Sequence, residues 1–375
     1  MKQASRLWFI DNLRIFLIAL VVLHHLSITY GATGGWYYKE VVGDAFTTLI
    51  LTLFTATNQS FFMGFFFLIS AYFTVKSFER KPVGKFIKDR LMRLVIPLLV
   101  FYFILCPLTI YMKVWLVNGA DYSFFEFVKL HRAFGFGPLW FVETLIYFNI
   151  VFIAYKLISG NKKTSTKKDL SFPGTATILL TALLVAAVSF VVRLWMPLGS
   201  ELGNTGLQLP YFPQYIAMMF IGILFAKYDW FEKITFNQGI RWFAFAQVLT
   251  LLIFPLMFYF GMKFSGIEPF MGGWTWQTAV LSAWEQLTGF SIMIGLVGVF
   301  KLKFNTQGKF GKHLSGAAYA VFITHSVVIV ALSGVLKDWE IYPVLKFLLL
   351  APVALFLCFG IGLLLKKMPL INKVI

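Results

Sequence analysis

Charge is scarce in this chain. Asp, Glu, Lys and Arg make up 13% of its 375 residues, where a soluble domain carries roughly 25%. Acidic groups are the scarcer sign, 16 against 33 basic ones, for a net charge of +17 at neutral pH. Cysteine is limited to Cys106 and Cys358, both within apolar runs, so neither a disulfide framework nor a Cys-rich metal site is expected. His-Glu-x-x-His, a Walker loop and a Gly-x-Ser-x-Gly elbow are all absent, which excludes metalloproteases, P-loop pumps and the common serine esterases. No metal cofactor is expected. A cleavable leader is not expected either, because the first apolar run is too long and lacks a small-residue cleavage site.

What is abundant is apolar surface: 59% of residues are hydrophobic and the mean hydropathy is +0.78. That composition predicts an all-α polytopic membrane protein, a bundle of about ten transmembrane helices forming a single domain over residues 1–375. The expected spans are roughly 10–30, 58–77, 94–117, 136–157, 174–195, 211–228, 239–262, 276–300, 315–336 and 344–365. The basic residues punctuate hydrophobic runs rather than forming one face, so a membrane and not nucleic acid is the expected partner. They fall alternately into rich and poor loops. The rich ones, about 78–93, 158–173 (with Lys162, Lys163, Lys167 and Lys168), 229–238 and 301–314, read as cytoplasmic, with both termini on that side.

The poorer, outer connections carry aromatic residues, most clearly Gly34-Gly35-Trp36-Tyr37-Tyr38 and Gly272-Gly273-Trp274-Thr275-Trp276. Interfacial anchoring is the plain reading, and stacking on a sugar ring is the alternative. Asp44–Thr57 is apolar but short, and reads as an interfacial or re-entrant helix.

Chemistry concentrates in the first span. Asp11, Arg14, His24 and His25 sit where a charge costs roughly 2.5 to 3.5 kcal/mol, which makes each a functional candidate. At 100° per residue, Arg14 and His25 lie about 20° apart on one helix face and about 16 Å apart along its axis. Asp11 falls on the same side and His24 on another, so His25 is favoured over its neighbour. In the first basic loop, Arg90 and Arg93 are neighbours at i and i+3 on a helix, and their planar forks suit phosphate. Holding a helix end at the headgroups is the plainer reading of that pair. Glu143, Glu285 with Gln286, and His325 between Thr324 and Ser326 are further intramembrane polar groups, expected to face the bundle interior. A lone buried His is more often structural, and a buried carboxylate needs a proton or a partner.

These residues together resemble the acyltransferase 3 family of bacterial integral-membrane acyltransferases. Asp11-Asn12-Leu13-Arg14, ten residues and His25 match its first-helix pattern. Phe65 to Ser70-Ala71 resembles its second-helix motif, Arg90-Leu91-Met92-Arg93 with Pro97 its Arg-x-x-Arg loop, Pro138-Leu139-Trp140-Phe141-Val142-Glu143 its Leu-Trp motif, and Tyr319 to His325 its C-terminal Tyr and His pattern. Ala71 and Asn12 stand where the family commonly has Gly. The resemblance implies a bacterial cytoplasmic-membrane enzyme that moves an acyl group, acetyl or succinyl, from a cytoplasmic acyl-CoA, with acetyl-CoA foremost, to a hydroxyl of a cell-envelope glycan or related acceptor. In that expectation His25 is base or acyl carrier, with Asp11 and Glu143 as catalytic supports. Arg14, Arg90 and Arg93 hold the CoA, and Trp140, Glu285, Tyr319 and His325 line the substrate path. The competing expectation is a secondary transporter or flippase for a lipid-linked glycan or small solute, in which the same groups would relay protons.

Overall fold

In hydrocarbon every backbone N–H and C=O must find its partner within the segment, so apolar runs of this length become helices. The computed structural model describes residues 6–159, 169–203, 205–369 and 371–374; the basic run at 161–168 lies outside the described residues. Among the described residues every regular element is helical. The 10 helices long and apolar enough to cross a membrane are α1 (Trp8–Thr29), α2 (Ala45–Arg80), α3 (Val83–Leu116), α4 (Gly137–Ile158), α5 (Thr175–Arg193), α6 (Leu209–Tyr228), α7 (Phe236–Gly261), α8 (Trp276–Lys303), α9 (Lys309–Val335) and α10 (Pro343–Lys367). They match the expected spans one for one, and the chain is a multi-pass membrane protein.

One boundary differs. Residues 45–57 do not form a separate short helix; they are the first turns of α2, which runs unbroken for 36 residues, about 54 Å at 1.5 Å per residue. Asp44 starts it, its carboxylate accepting from the N–H groups of Phe46 (2.9 Å) and Thr47 (3.2 Å). No Gly or Pro interrupts the first four turns. The polar stretch Thr57-Asn58-Gln59-Ser60, where the expected short helix meets the expected span, is absorbed by the bundle. Gln214 Nε2 donates to the Ser60 carbonyl (2.7 Å) and Gln59 Nε2 to the Tyr215 hydroxyl (3.2 Å).

The most apolar windows of α2 and α8 are 78% buried, against 28% for α5 and α7 and 22% for α10. The first two therefore form the centre with α1 and α9, and the last three face outward. Helix α1 packs against α2, α8, α9 and α10. Small residues allow the close approaches: a Cβ on Gly289 of α8 would sit 2.0 Å from the Ser60 carbonyl oxygen of α2. Ala71 is accommodated because Gly222 of α6 lies opposite, where a Cβ would come within 2.7 Å of the Ala71 methyl. Asn12 has its own task. Its side chain donates to the carbonyls of Phe304 (2.7 Å) and Thr306 (3.0 Å) and accepts from Gln307 (2.9 Å), docking the start of α1 on the α8–α9 connection.

Proline shapes α3 and α7. Each π-helical stretch, Leu91–Val95, Phe101–Leu105 and Leu249–Ile253, precedes a proline: Pro97, Pro107 and Pro255 respectively. A proline lacks the N–H for the carbonyl four residues back and its ring crowds that carbonyl, and a widened turn relieves both. Pro97 in this way deprives the Arg93 carbonyl, and the Tyr319 hydroxyl donates to it instead (2.8 Å).

Candidate active site

The connection after α1 leaves Thr33, Gly35, Lys39 and Val42 exposed but turns other side chains inward. Residues 31–44 fold back over the C-terminal end of α1 and are tied down along their length. Thr33 N accepts no slack: it donates to Thr52 Oγ1 (3.0 Å), and Glu40 N donates to the Thr29 carbonyl (2.9 Å). The Glu40 carboxylate is paired with Lys346 of α10, a lysine only 2% exposed that also donates to the Leu336 carbonyl (2.7 Å). Burial pushes the Glu40 carboxyl up from its ordinary range, and Lys346 pulls it back. Tyr37 packs on Gly137, whose φ of +44° and missing Cβ leave room for the hydroxyl, 2.0 Å from where a Cβ would stand.

This strap carries Trp36 inward. Its ring stacks on His25 at 3.8 Å and 13°, and His325 of α9 lies nearly parallel to His25, 5.3 Å away at 20°. One face of Trp36 is thus taken by His25 rather than held at a membrane interface. Trp274 and Trp276, 82% and 54% exposed, fit the anchoring reading. The His325 Nδ1 lies 2.7 Å from the Phe322 carbonyl. A carbonyl only accepts, so Nδ1 carries the proton and Nε2 is left as an acceptor. That Nε2, His25 Nδ1, His24 Nδ1 and Trp36 Nε1 are all buried without a hydrogen-bond partner. So many unmatched polar atoms in one place mark a site built for something else to fill.

Beside the stack lies a cavity of about 540 Å³, bordered by both His24 and His25, by Gln59 of α2, Trp140 of α4, Tyr211 and Tyr215 of α6, and by Lys39, Glu201 and Gln208 from loops. Trp140 and Tyr215 are near-parallel at 5.4 Å and 25°. His24, although on another face of α1, also borders the cavity. The neighbouring rings are almost perpendicular, 86° at 5.3 Å, and α2 and the strap let both reach the cavity.

The opposite end of α1 is cationic. Asp11 accepts from Arg6 Nε (2.8 Å) and lies 3.7 Å from Arg14 Nη1, and Arg14 is within electrostatic reach of Arg93. Arg90 donates to Thr74 Oγ1 (3.2 Å) and lies over the Phe86 ring at 5.0 Å. The structure therefore places Arg14 and Arg90 each within electrostatic reach of Arg93, and Tyr319 holds the Arg93 backbone.

The remaining candidates lie elsewhere. Glu143 accepts from Tyr147 Oη (2.7 Å), with its other oxygen buried and unpartnered, and it stands outside the cavity lining. Asp11 is fourteen residues before His25, about 21 Å along the helix, so it acts on the arginine end. Glu285 is paired with Arg193 of α5, a fully buried arginine that also donates to Ser282 Oγ (3.0 Å) and lies 5.6 Å from the Tyr211 ring centre. Sequence inspection did not single out Arg193, Gln59, Tyr211, Tyr215, Lys346 or Glu40. Arg193 had a signal: Glu285 needed a cation inside the membrane. The tyrosines and Gln59 had none, because polar side chains in α2 and α6 become a wall only when those helices meet. Among the described residues no group of 3 or more His, Cys, Asp or Glu side chains is placed to hold a metal ion.

A family model described as "Acyltransferase domain" matches residues 7–363. Glucans biosynthesis protein C of Escherichia coli K12 is 30% identical over 176 residues, 45% of this chain and 44% of that protein. The proteins of the same name from strains O1:K1 and O139:H28 match at the same 30% identity and the same 44% of their length. The aligned region thus spans less than half of these relatives. No solved structure matches the chain.

Proposed function

The chain belongs to the acyltransferase family whose domain it matches over residues 7–363, and from that premise we propose that it is a membrane O-acyltransferase moving an acyl group from a cytoplasmic acyl-CoA to a hydroxyl of a cell-envelope glycan. The observation that carries this reading is the two-ended α1. Its first turns carry Arg14, within electrostatic reach of Arg93 beside Arg90, and its last turns present His25 to a largely apolar cavity that also carries aromatic and polar side chains. Acetyl-CoA is the first donor to test, with succinyl-CoA as the next. The membrane is the bacterial cytoplasmic membrane, with both termini and the arginine end on the cytoplasmic side, where the donor and the Lys- and Arg-rich connections are.

In this mechanism the arginines bind the donor's phosphates through charge-assisted hydrogen bonds, with Asp11 fixing Arg14. The separation of about 16 Å along α1 suits an extended pantetheine arm and brings the thioester to His25. The acceptor hydroxyl enters from the cavity, where Trp140, Tyr211 and Tyr215 offer ring faces and phenols, and Gln59, Gln208 and Glu201 offer amide and carboxylate groups to sugar hydroxyls. The name of the Escherichia coli relatives, with its glucans, supports such an acceptor. His25 takes the hydroxyl proton as the oxygen attacks the carbonyl carbon, and returns it to the sulfur as the C–S bond breaks. His325 holds the ring of His25 from behind, Tyr319 positions Arg93, and Glu285 positions Tyr211 through Arg193. Glu143 remains a supporting group of α4 beneath Trp140.

The test is reconstitution in proteoliposomes with acetyl-CoA and envelope glycan fractions. Acceptor-dependent release of CoA, with a mass increase of one acyl group on the glycan, is the expected result. Solute movement without donor and without CoA release would replace this reading with that of a transporter.

A further inference from the structure

The indole of Trp36 has a feature its stacking does not explain. Its N–H can only donate, it is buried without an acceptor, and it belongs to a ring 3.8 Å from His25 and within 13° of parallel to it. An indole that served only as a packing plate would have its N–H in water or on a carbonyl, since an unmet buried donor costs about 1–3 kcal/mol. The strap that carries it is fastened by Glu40 to Lys346 and by Thr33 to Thr52, so the donor is held in place before substrate arrives.

Resting on the acyl-transfer reading, we propose that Trp36 is a catalytic residue whose indole N–H donates to the thioester carbonyl oxygen and to the oxyanion it becomes. When the acceptor oxygen adds to the carbonyl carbon, the C=O electron pair moves onto oxygen, which then accepts the Trp36 hydrogen bond. No proton leaves the indole. The pair returns as the C–S bond breaks, and the proton collected by His25 goes to the departing thiolate. A base and an oxyanion donor each about 3 Å from oxygens that share one carbon must be close neighbours, and the parallel His25–Trp36 stack makes them so. Preorganised donors of this kind are worth about 10²- to 10³-fold in kcat.

The test uses W36F, which keeps an aromatic ring beside His25 and removes the indole N–H along with the pyrrole ring that bears it, together with two stable donor analogues. One is acetyl-carba(dethia)-CoA, with a methylene in place of the thioester sulfur; the other is S-ethyl-CoA, which has no carbonyl. The expected result is a kcat lowered about 10²- to 10³-fold with the KM for acetyl-CoA unchanged and the same melting temperature. In the wild type, the Trp36 indole N–H resonance, assigned by its absence from W36F, moves downfield with the carbonyl analogue and not with S-ethyl-CoA. Wild-type kcat in W36F, or an indole resonance that ignores the carbonyl, overturns the assignment while acyl transfer stands. If the acyl-transfer reading itself fails, the wild type releases no CoA and neither analogue moves the resonance, which overturns both.

Discussion

The two ends of α1 are built on opposite principles. At the arginine end the important groups are close in sequence or carried on one short stretch. Asp11 reaches Arg14 across one turn, and Arg90 and Arg93 share the start of α3, partly or fully open to solvent. At the histidine end the groups around His24 and His25 are drawn from many segments. Trp36 comes from a loop, Gln59 from α2, Trp140 from α4, Tyr215 from α6 and His325 from α9. The first end can bind an extended, charged ligand with modest precision. The second has the dense packing that positioning a reacting bond requires.

If that contrast is right, substitutions at the two ends separate kcat from KM. The largest effect is expected for His25→Ala, a loss of about 10²- to 10⁴-fold in kcat with donor binding retained, read by CoA release and by equilibrium binding of acetyl-CoA. Wild-type turnover in that variant would remove the histidine end from the chemistry. Arg193→Met is expected to act on the scaffold instead. Stranding the Glu285 carboxylate costs on the order of 3 to 5 kcal/mol, seen as a lower melting temperature in detergent, and R193M/E285M together should recover most of it. At the other end, Arg14→Gln should raise the KM for acetyl-CoA about 10-fold, the loss of one charge-assisted bond of roughly 1.5 kcal/mol, and leave kcat near wild type. Tyr319→Phe is a milder version of the same change, because it frees the Arg93 carbonyl rather than the guanidinium. A kcat defect without a KM defect in Tyr319→Phe would break the division.

The smallest effect tests the strap's far anchor. Thr47 and the helix N–H groups pull the Asp44 carboxyl down to about 2. Its folded value lies below the unfolded one of about 3.9, so its contribution is present above that unfolded value and is lost as pH falls through about 2. Asp44→Ala should therefore melt slightly earlier than wild type at pH 6, with the difference shrinking as pH falls towards about 2.

Much of this was legible in the residues. The apolar runs named all the spans because backbone hydrogen bonding in a membrane leaves helix as the only choice for them. The Arg14 to His25 spacing followed from helical geometry, and the family resemblance from motifs spread over the chain. Where the reading went astray the cause was tertiary. Asp44–Thr57 reads as a separate short helix because nothing local shows that the polar stretch Thr57 to Ser60 is satisfied by Gln214 and Tyr215 inside the bundle. Trp36 looked like an anchor because aromatic loop residues usually are, and it takes tertiary ties such as Glu40–Lys346 and Thr33–Thr52 to turn the loop inward.

The sequence by itself determined the number of helices, their apolar faces and the cationic end of α1, since these depend on the order of residues within one segment. Only the tertiary structure decided that Trp36 covers His25, that His325 stands behind it, that Arg193 neutralises Glu285 and that a 540 Å³ cavity opens beside the pair of histidines. Those facts depend on which helices meet. In a membrane, helix meeting is governed by close packing and by buried polar groups finding one another, and neither is written in any single stretch of the chain.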